Sequence, residues 1–247
     1  MDKTVFKQKC WVIVIILATV LHSVMAALEF SQTALDIWKF FYCLLLPVLV
    51  VPAPVLKNLG FSKDKILRQV FMGIVSGAAT LAVLYAALVG CAFLLFPQPE
   101  YQINLYIPFT SMSTGTIIYI LMMQFFHSSI EEVAFRGYLQ NQMVVFFRSE
   151  KVRILLVSVI FGAIHIAPYL FPSSLSDIIR SLQDGSGSVN MLIMIFLSRF
   201  VLTTLFSVTV GILVWKKKGF TTLSAACMHI TWNYIQELLI AFSISMS

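Results

Sequence analysis

Apolar runs long enough to cross a bilayer recur seven times in this chain, and clusters of lysine and arginine fall at alternate connections between them. That pattern leaves few folds open. In lipid every backbone polar group must be satisfied within the protein, so spanning segments are helices or closed barrels, and runs of about 20 residues select helices. The runs are Trp11–Leu28, Phe40–Leu56, Val70–Phe96, Ser111–Phe147, Ile154–Tyr169, Val189–Val214 and Thr222–Ile244. The fourth is too long for one straight span and is expected to bend near Gly137 or to continue along the interface. Pro47, Pro52 and Pro54 interrupt the second, which neighbouring helices can accommodate.

Basic residues number three before the first run, four in Lys57–Arg68, three in Arg148–Arg153 and three in Lys216–Lys218. The intervening connections Glu29–Lys39, Pro97–Pro108 and Leu170–Ser188 hold one, none and one. The positive-inside rule then predicts an all-α bundle of about seven spans, amino terminus in the cytoplasm and carboxyl terminus outside. The first run exceeds the length of a signal-peptide core and is read as an uncleaved span.

With 59% hydrophobic and only 11% charged residues, no polar block is long enough to fold alone, and residues 1–247 form a single membrane domain. The bilayer is the first partner. The net charge of +6 belongs to the loops and implies no nucleic acid. Cys10, Cys43, Cys91 and Cys227 show no metal-type spacing and suggest no disulfide.

Inside the fourth run lies Ile130–Gly137, I-E-E-V-A-F-R-G. Each charge there costs roughly 2.5–3.5 kcal/mol on insertion scales and needs a partner or a task. Glu132 and Arg136, four apart on a helix, can pair, which leaves Glu131 without a charge at i+4. His127, four residues before Glu131, shares its face and could support it. The topology places His165 on the fifth run and His229 on the seventh at similar depth. Phe161 shares a face with His165, and Asn233 with His229. Two carboxylates, two imidazoles and a carboxamide can hold and deprotonate a water and stabilise an oxyanion. They could also bind a divalent metal such as zinc, with Glu131, His165 and His229 as candidate ligands, although no HExxH is present. Arg199, mid-span in the sixth run, could pair with Glu237.

These segments resemble a family. Glu131–Arg136 matches the EExxxR motif of the CPBP intramembrane proteases, also called Abi or CAAX prenyl endopeptidase-like proteins. Phe161–His165 matches their FxxxH motif and His229–Asn233 their HxxxN motif. The resemblance divides the chain into accessory spans, residues 1–110, and a protease core, residues 111–244. It implies peptide-bond hydrolysis within or at the edge of the membrane, without a covalent intermediate. Glu131 and His165 would activate water, His229 and Asn233 would bind the oxyanion, Glu132 would be a second acid, and Arg136 would hold the pair. The family is also described as metal-dependent. The substrate implied is a peptide or membrane-protein tail, reached from the cytoplasmic side or laterally. A compact chain without eukaryotic targeting signals suggests a bacterial cell membrane and a signalling or bacteriocin-like precursor. Two other functions compete: a non-catalytic immunity or scaffold protein, and a proton- or metal-coupled transporter. The polar residues would then serve as interhelical glue or as an ion path.

Overall fold

The computed structural model describes residues 3–51, 54–96, 101–169, 189–216 and 219–246. Among them the chain forms seven principal helices and a two-stranded sheet. Helix α1 is Lys3–Ala27. Helix α2 starts at Gln32–Phe40 and runs on through a π-helical turn, Phe41–Leu45, to Leu46–Val50. Helix α3 is Ile66–Leu95, and strand β1 is Tyr101–Tyr106. Helix α4, Thr114–Glu132, widens into a π-helical turn over Val133–Leu139 and continues through Gln140–Gln142. Helix α5 is Glu150–Ile166. Helix α6 comprises Val189–Phe196, a π-helical turn at Leu197–Val201, and Leu202–Lys216. Helix α7, Thr222–Tyr234, ends in a π-helical turn at Ile235–Leu239, and strand β2 is Ala241–Met246.

Local chemistry explains where helices begin. The Ser113 side chain accepts from the Thr116 N–H at 3.1 Å and starts α4. Thr221 and Ser224 form a reciprocal capping box that starts α7.

Polarity is arranged inside out. Leu67 and Leu94 are 86% and 84% exposed, whereas Arg136 and Glu132 are fully buried. Water would reverse that arrangement; lipid favours it. Five helical stretches are long and apolar enough to cross a membrane: Val5–Ala26, Gln32–Val50, Ile66–Leu95, Glu150–Tyr169 and Val189–Lys216. The chain is therefore a multi-pass membrane protein with an all-α bundle. The two helices outside that set, α4 and α7, are those that carry the EExxxR and HxxxN residues.

Two boundaries differ from the sequence reading. The second helix begins at Gln32, so Glu29–Lys39 is mostly helix rather than a polar connection. Trp38 explains part of this, since its indole N–H donates to the Ala18 carbonyl on α1 at 2.9 Å. The fourth run stays helical through Gly137, which lies inside the widened turn at the place where a bend was expected. Gly137 also admits the neighbouring backbone: an added Cβ would lie 2.8 Å from the Leu59 carbonyl oxygen. The seventh helix ends at Leu239, and after Ile240 the residues Ala241–Met246 pair antiparallel with β1, Tyr106 opposite Ala241. The connection Leu170–Ser188 lies outside the described residues.

Helix α7 is held between α3 and α4. Gly73 and Gly77, one turn apart on α3, let the backbones approach: an added Cβ would clash with the Ser224 carbonyl at the first and lie 2.5 Å from the Met228 carbonyl at the second. Small residues at this spacing are a common way for membrane helices to pack without a hydrophobic driving force. This contact fixes the turn of α7 that bears His229.

Candidate active site

Glu131 and Glu132 end the regular part of α4, and the widened turn that follows carries Arg136. The two carboxylates diverge. Glu132 is fully buried, with Oε1 3.0 Å from His229 Nδ1 and Oε2 3.4 Å from Arg136 Nε. A carboxylate only accepts, so Nδ1 carries the proton of that contact and the His229 ring is fixed by it. Arg136 extends the connection to α6, where its Nη2 donates to the Ser207 hydroxyl at 2.6 Å, and its guanidinium lies 5.7 Å from the Phe161 ring centre. Arg136 thus joins α4, α5 and α6.

Glu131 faces a different set. Its Oε2 is 3.8 Å from His229 Nε2, so the imidazole of His229 stands between the two carboxylates. Its Oε1 pairs with the Lys39 ammonium from α2. Lys39 did not emerge from the sequence. It sits at the edge of an apolar run, next to Phe40, and falls with the polar residues that precede it. The same helix answers His127, whose Nε2 lies 3.3 Å from the Asp36 carboxylate.

On α5 the His165 Nδ1 is 2.7 Å from the Phe161 carbonyl, one turn back. A carbonyl cannot donate, so Nδ1 carries the hydrogen and Nε2 keeps its lone pair. The Phe161 ring spaces the two histidines, with its centre 4.5 Å from the His165 ring and 5.7 Å from that of His229. Phe206 packs against the His229 ring, and Trp232 backs Phe206. Asn233, one turn beyond His229, donates from Nδ2 to Gln124 Oε1 at 2.9 Å and to Ser128 Oγ at 3.0 Å. Arg199 lies 5.1 Å over the Tyr169 ring, and the Glu237 carboxylate accepts from Gln124 rather than pairing with it.

One cavity of about 730 Å³ gathers most of these groups. Glu131, His165, His229, Asn233, His127, Phe161 and Lys39 all line it. Glu132 and Arg136 do not; they lie behind His229. Among the described residues, no three His, Cys, Asp or Glu side chains come together as a metal site. The Lys39 ammonium pairs with one Glu131 oxygen, while each histidine commits Nδ1 and leaves Nε2 free, the arrangement in which imidazoles also ligate metals.

Residues 113–235, about half of the chain, match the family model described as Type II CAAX prenyl endopeptidase Rce1-like. The chain belongs to this family. The match begins at the cap of α4 and ends just after Asn233, so it contains all three motifs. Family membership makes this a membrane endopeptidase by class. Lys39 and the rest of α1–α3 fall outside the matched region. No curated protein and no solved structure matches the chain significantly.

Proposed function

We propose that the chain is an intramembrane endopeptidase that hydrolyses a peptide bond with a water activated by Glu131 and His165. The observation that carries this reading is the shared cavity: side chains from α4, α5 and α7 meet in one space inside a lipid-facing bundle. His165 Nε2 is the free base, since Nδ1 is tied to the Phe161 carbonyl. Water held between Nε2 and Glu131 gives its proton to Nε2 as the oxygen attacks the substrate carbonyl. The proton then passes to the leaving amine. The Asn233 amide, one turn from His229 on α7, meets the oxyanion, and the His229 ring, whose Nδ1–H is committed to Glu132, joins it from Nε2 when that nitrogen also carries a proton. Asn233 must exchange its bond with Gln124 for the substrate, which ties oxyanion binding to substrate arrival. Arg136 holds Glu132 and thereby His229. Lys39 keeps Glu131 oriented and offsets its charge.

The substrate is read as a bacterial signalling or bacteriocin-like precursor, or a membrane-protein tail, processed at the cell membrane. The test compares wild type with Glu131→Ala, His165→Ala and His229→Ala at matched membrane levels on such a precursor. Each substitution is expected to abolish cleavage. Cleavage retained by Glu131→Ala would end the mechanism.

A further inference from the structure

The cavity has a direction. Its floor is the cluster of Glu131, His165 and His229, and its other walls come from one end of the bundle only. Tyr106 and Met112 precede α4, Met194 lies in the first turns of α6, and Ala241 follows α7. A separate space of about 890 Å³ marks the opposite end, lined by Lys57, Lys65, Arg68 and Phe220. Both ends of the molecule are therefore identified by position, and they differ sharply in charge.

With Lys39 now placed inside α2, the asymmetry of the connections is stronger than the sequence alone suggested. The end that holds the second space carries Lys57, Lys63, Lys65 and Arg68, then Arg148, Lys151 and Arg153, then Lys216. The end on which the cavity opens has no lysine or arginine in residues 28–31 or 101–113. Basic residues near span ends stay on the cytoplasmic side. We infer that the Glu131–His165–His229 cavity opens to the extracytoplasmic face, and that it receives an extended peptide segment presented on that face. The segment's identity as a substrate rests on the peptidase reading; the direction of opening does not.

The chemistry of the walls agrees with such an occupant. Methionines at 112, 191 and 194 give an adaptable apolar lining suited to varied side chains. Arg199 and Glu237 add one charge of each sign. A volume of about 730 Å³ takes a few residues and excludes a folded domain. The β1–β2 pair at the rim puts extended backbone beside the opening, with Tyr106 and Ala241 both on the sheet and on the cavity wall. A peptide in extended form can align with such an edge.

The test uses the full chain in intact cells, with Cys10, Cys43, Cys91 and Cys227 replaced by alanine. Met112→Cys is expected to react with a membrane-impermeant maleimide added outside, whereas Ser149→Cys, at the basic end, reacts only after permeabilisation. The reverse pattern would overturn the assignment. If the cysteine-free protein does not accumulate, tags on the native chain decide the same point. External protease is expected to remove a carboxyl-terminal tag and spare an amino-terminal one, and the opposite result refutes the direction. A precursor peptide unable to cross the membrane, supplied outside, is then expected to be cut by the wild type and not by Glu131→Gln. Labelling as expected without cleavage would overturn the peptide occupant and leave the direction standing, so the two parts fail separately.

Discussion

Lys39→Met is the most informative perturbation of this site. It keeps the unbranched stem, one heavy atom shorter, and removes the ammonium beside Glu131. The Lys39 and Glu131 side chains are 15% and 6% exposed, so the carboxylate left behind has little bulk water to turn to. Deleting one partner of a buried ion pair costs about 3–5 kcal/mol, because a charge is stranded. Water in the cavity screens Glu131 to some extent, which places the effect at the lower end, about 3 kcal/mol. For a chain of this size that corresponds to a fall in Tm of about 6–12 °C. Glu131→Gln in the same background neutralises the stranded group with little change of shape. Replacing both charged partners by neutral groups is often close to neutral. The double variant is therefore expected to recover most of the lost stability while remaining inactive. Thermal unfolding in detergent micelles, with wild type, both single variants and the double variant side by side, measures the cycle. A Lys39→Met protein within about 2 °C of wild type, or a double variant as unstable as the single, would refute the argument that the two charges are coupled.

Three further outcomes follow from the geometry. Arg136→Lys is expected to lower kcat/KM at least tenfold in peptide cleavage, because a single ammonium cannot replace the fork that reaches both Glu132 and Ser207; an unchanged rate would remove Arg136 from the positioning scheme. Gly77→Leu is expected to force α3 and α7 apart at Met228 and to reduce activity along with a loss of about 1–3 kcal/mol in stability, read by the same melts. Gln124→Ala removes one of the two partners of the Asn233 amide, and its effect is expected in kcat rather than in KM if that amide meets the oxyanion only in the transition state.

The site's helices were readable because each motif is local. Four-residue spacing puts Phe161 with His165 and His229 with Asn233 on common faces whatever the fold does, and the basic clusters set their depth. What escaped was non-local. Lys39 meets Glu131 across the whole of α3, and nothing in its neighbourhood points to that partner. Its place at the edge of an apolar run made it look like the end of a loop. The sheet escaped for another reason. Residues 101–106 and 241–246 alternate apolar and polar side chains, Phe242-Ser243-Ile244-Ser245 most clearly, which is the period of a strand. That short signal is hidden in the seventh apolar run at residues 241–244 and in the connection Pro97–Pro108 at residues 101–106.

The π-helical turns give the cavity an unusual dependence on chain length. One follows Lys39 on α2, one follows Glu131 and Glu132, one contains Arg199, and one follows Asn233. Each holds one residue more than an ordinary turn would, so everything after it is rotated by about a third of a revolution. Deleting a single residue inside such a turn, without touching any polar side chain, would let the helix relax to its tighter screw and swing Arg136 or Glu237 out of phase with the groups before it. In this protein the spacing between side chains is written partly as surplus backbone, and a relative that keeps every motif letter but lacks one of those surplus residues would carry the vocabulary of the site without its grammar.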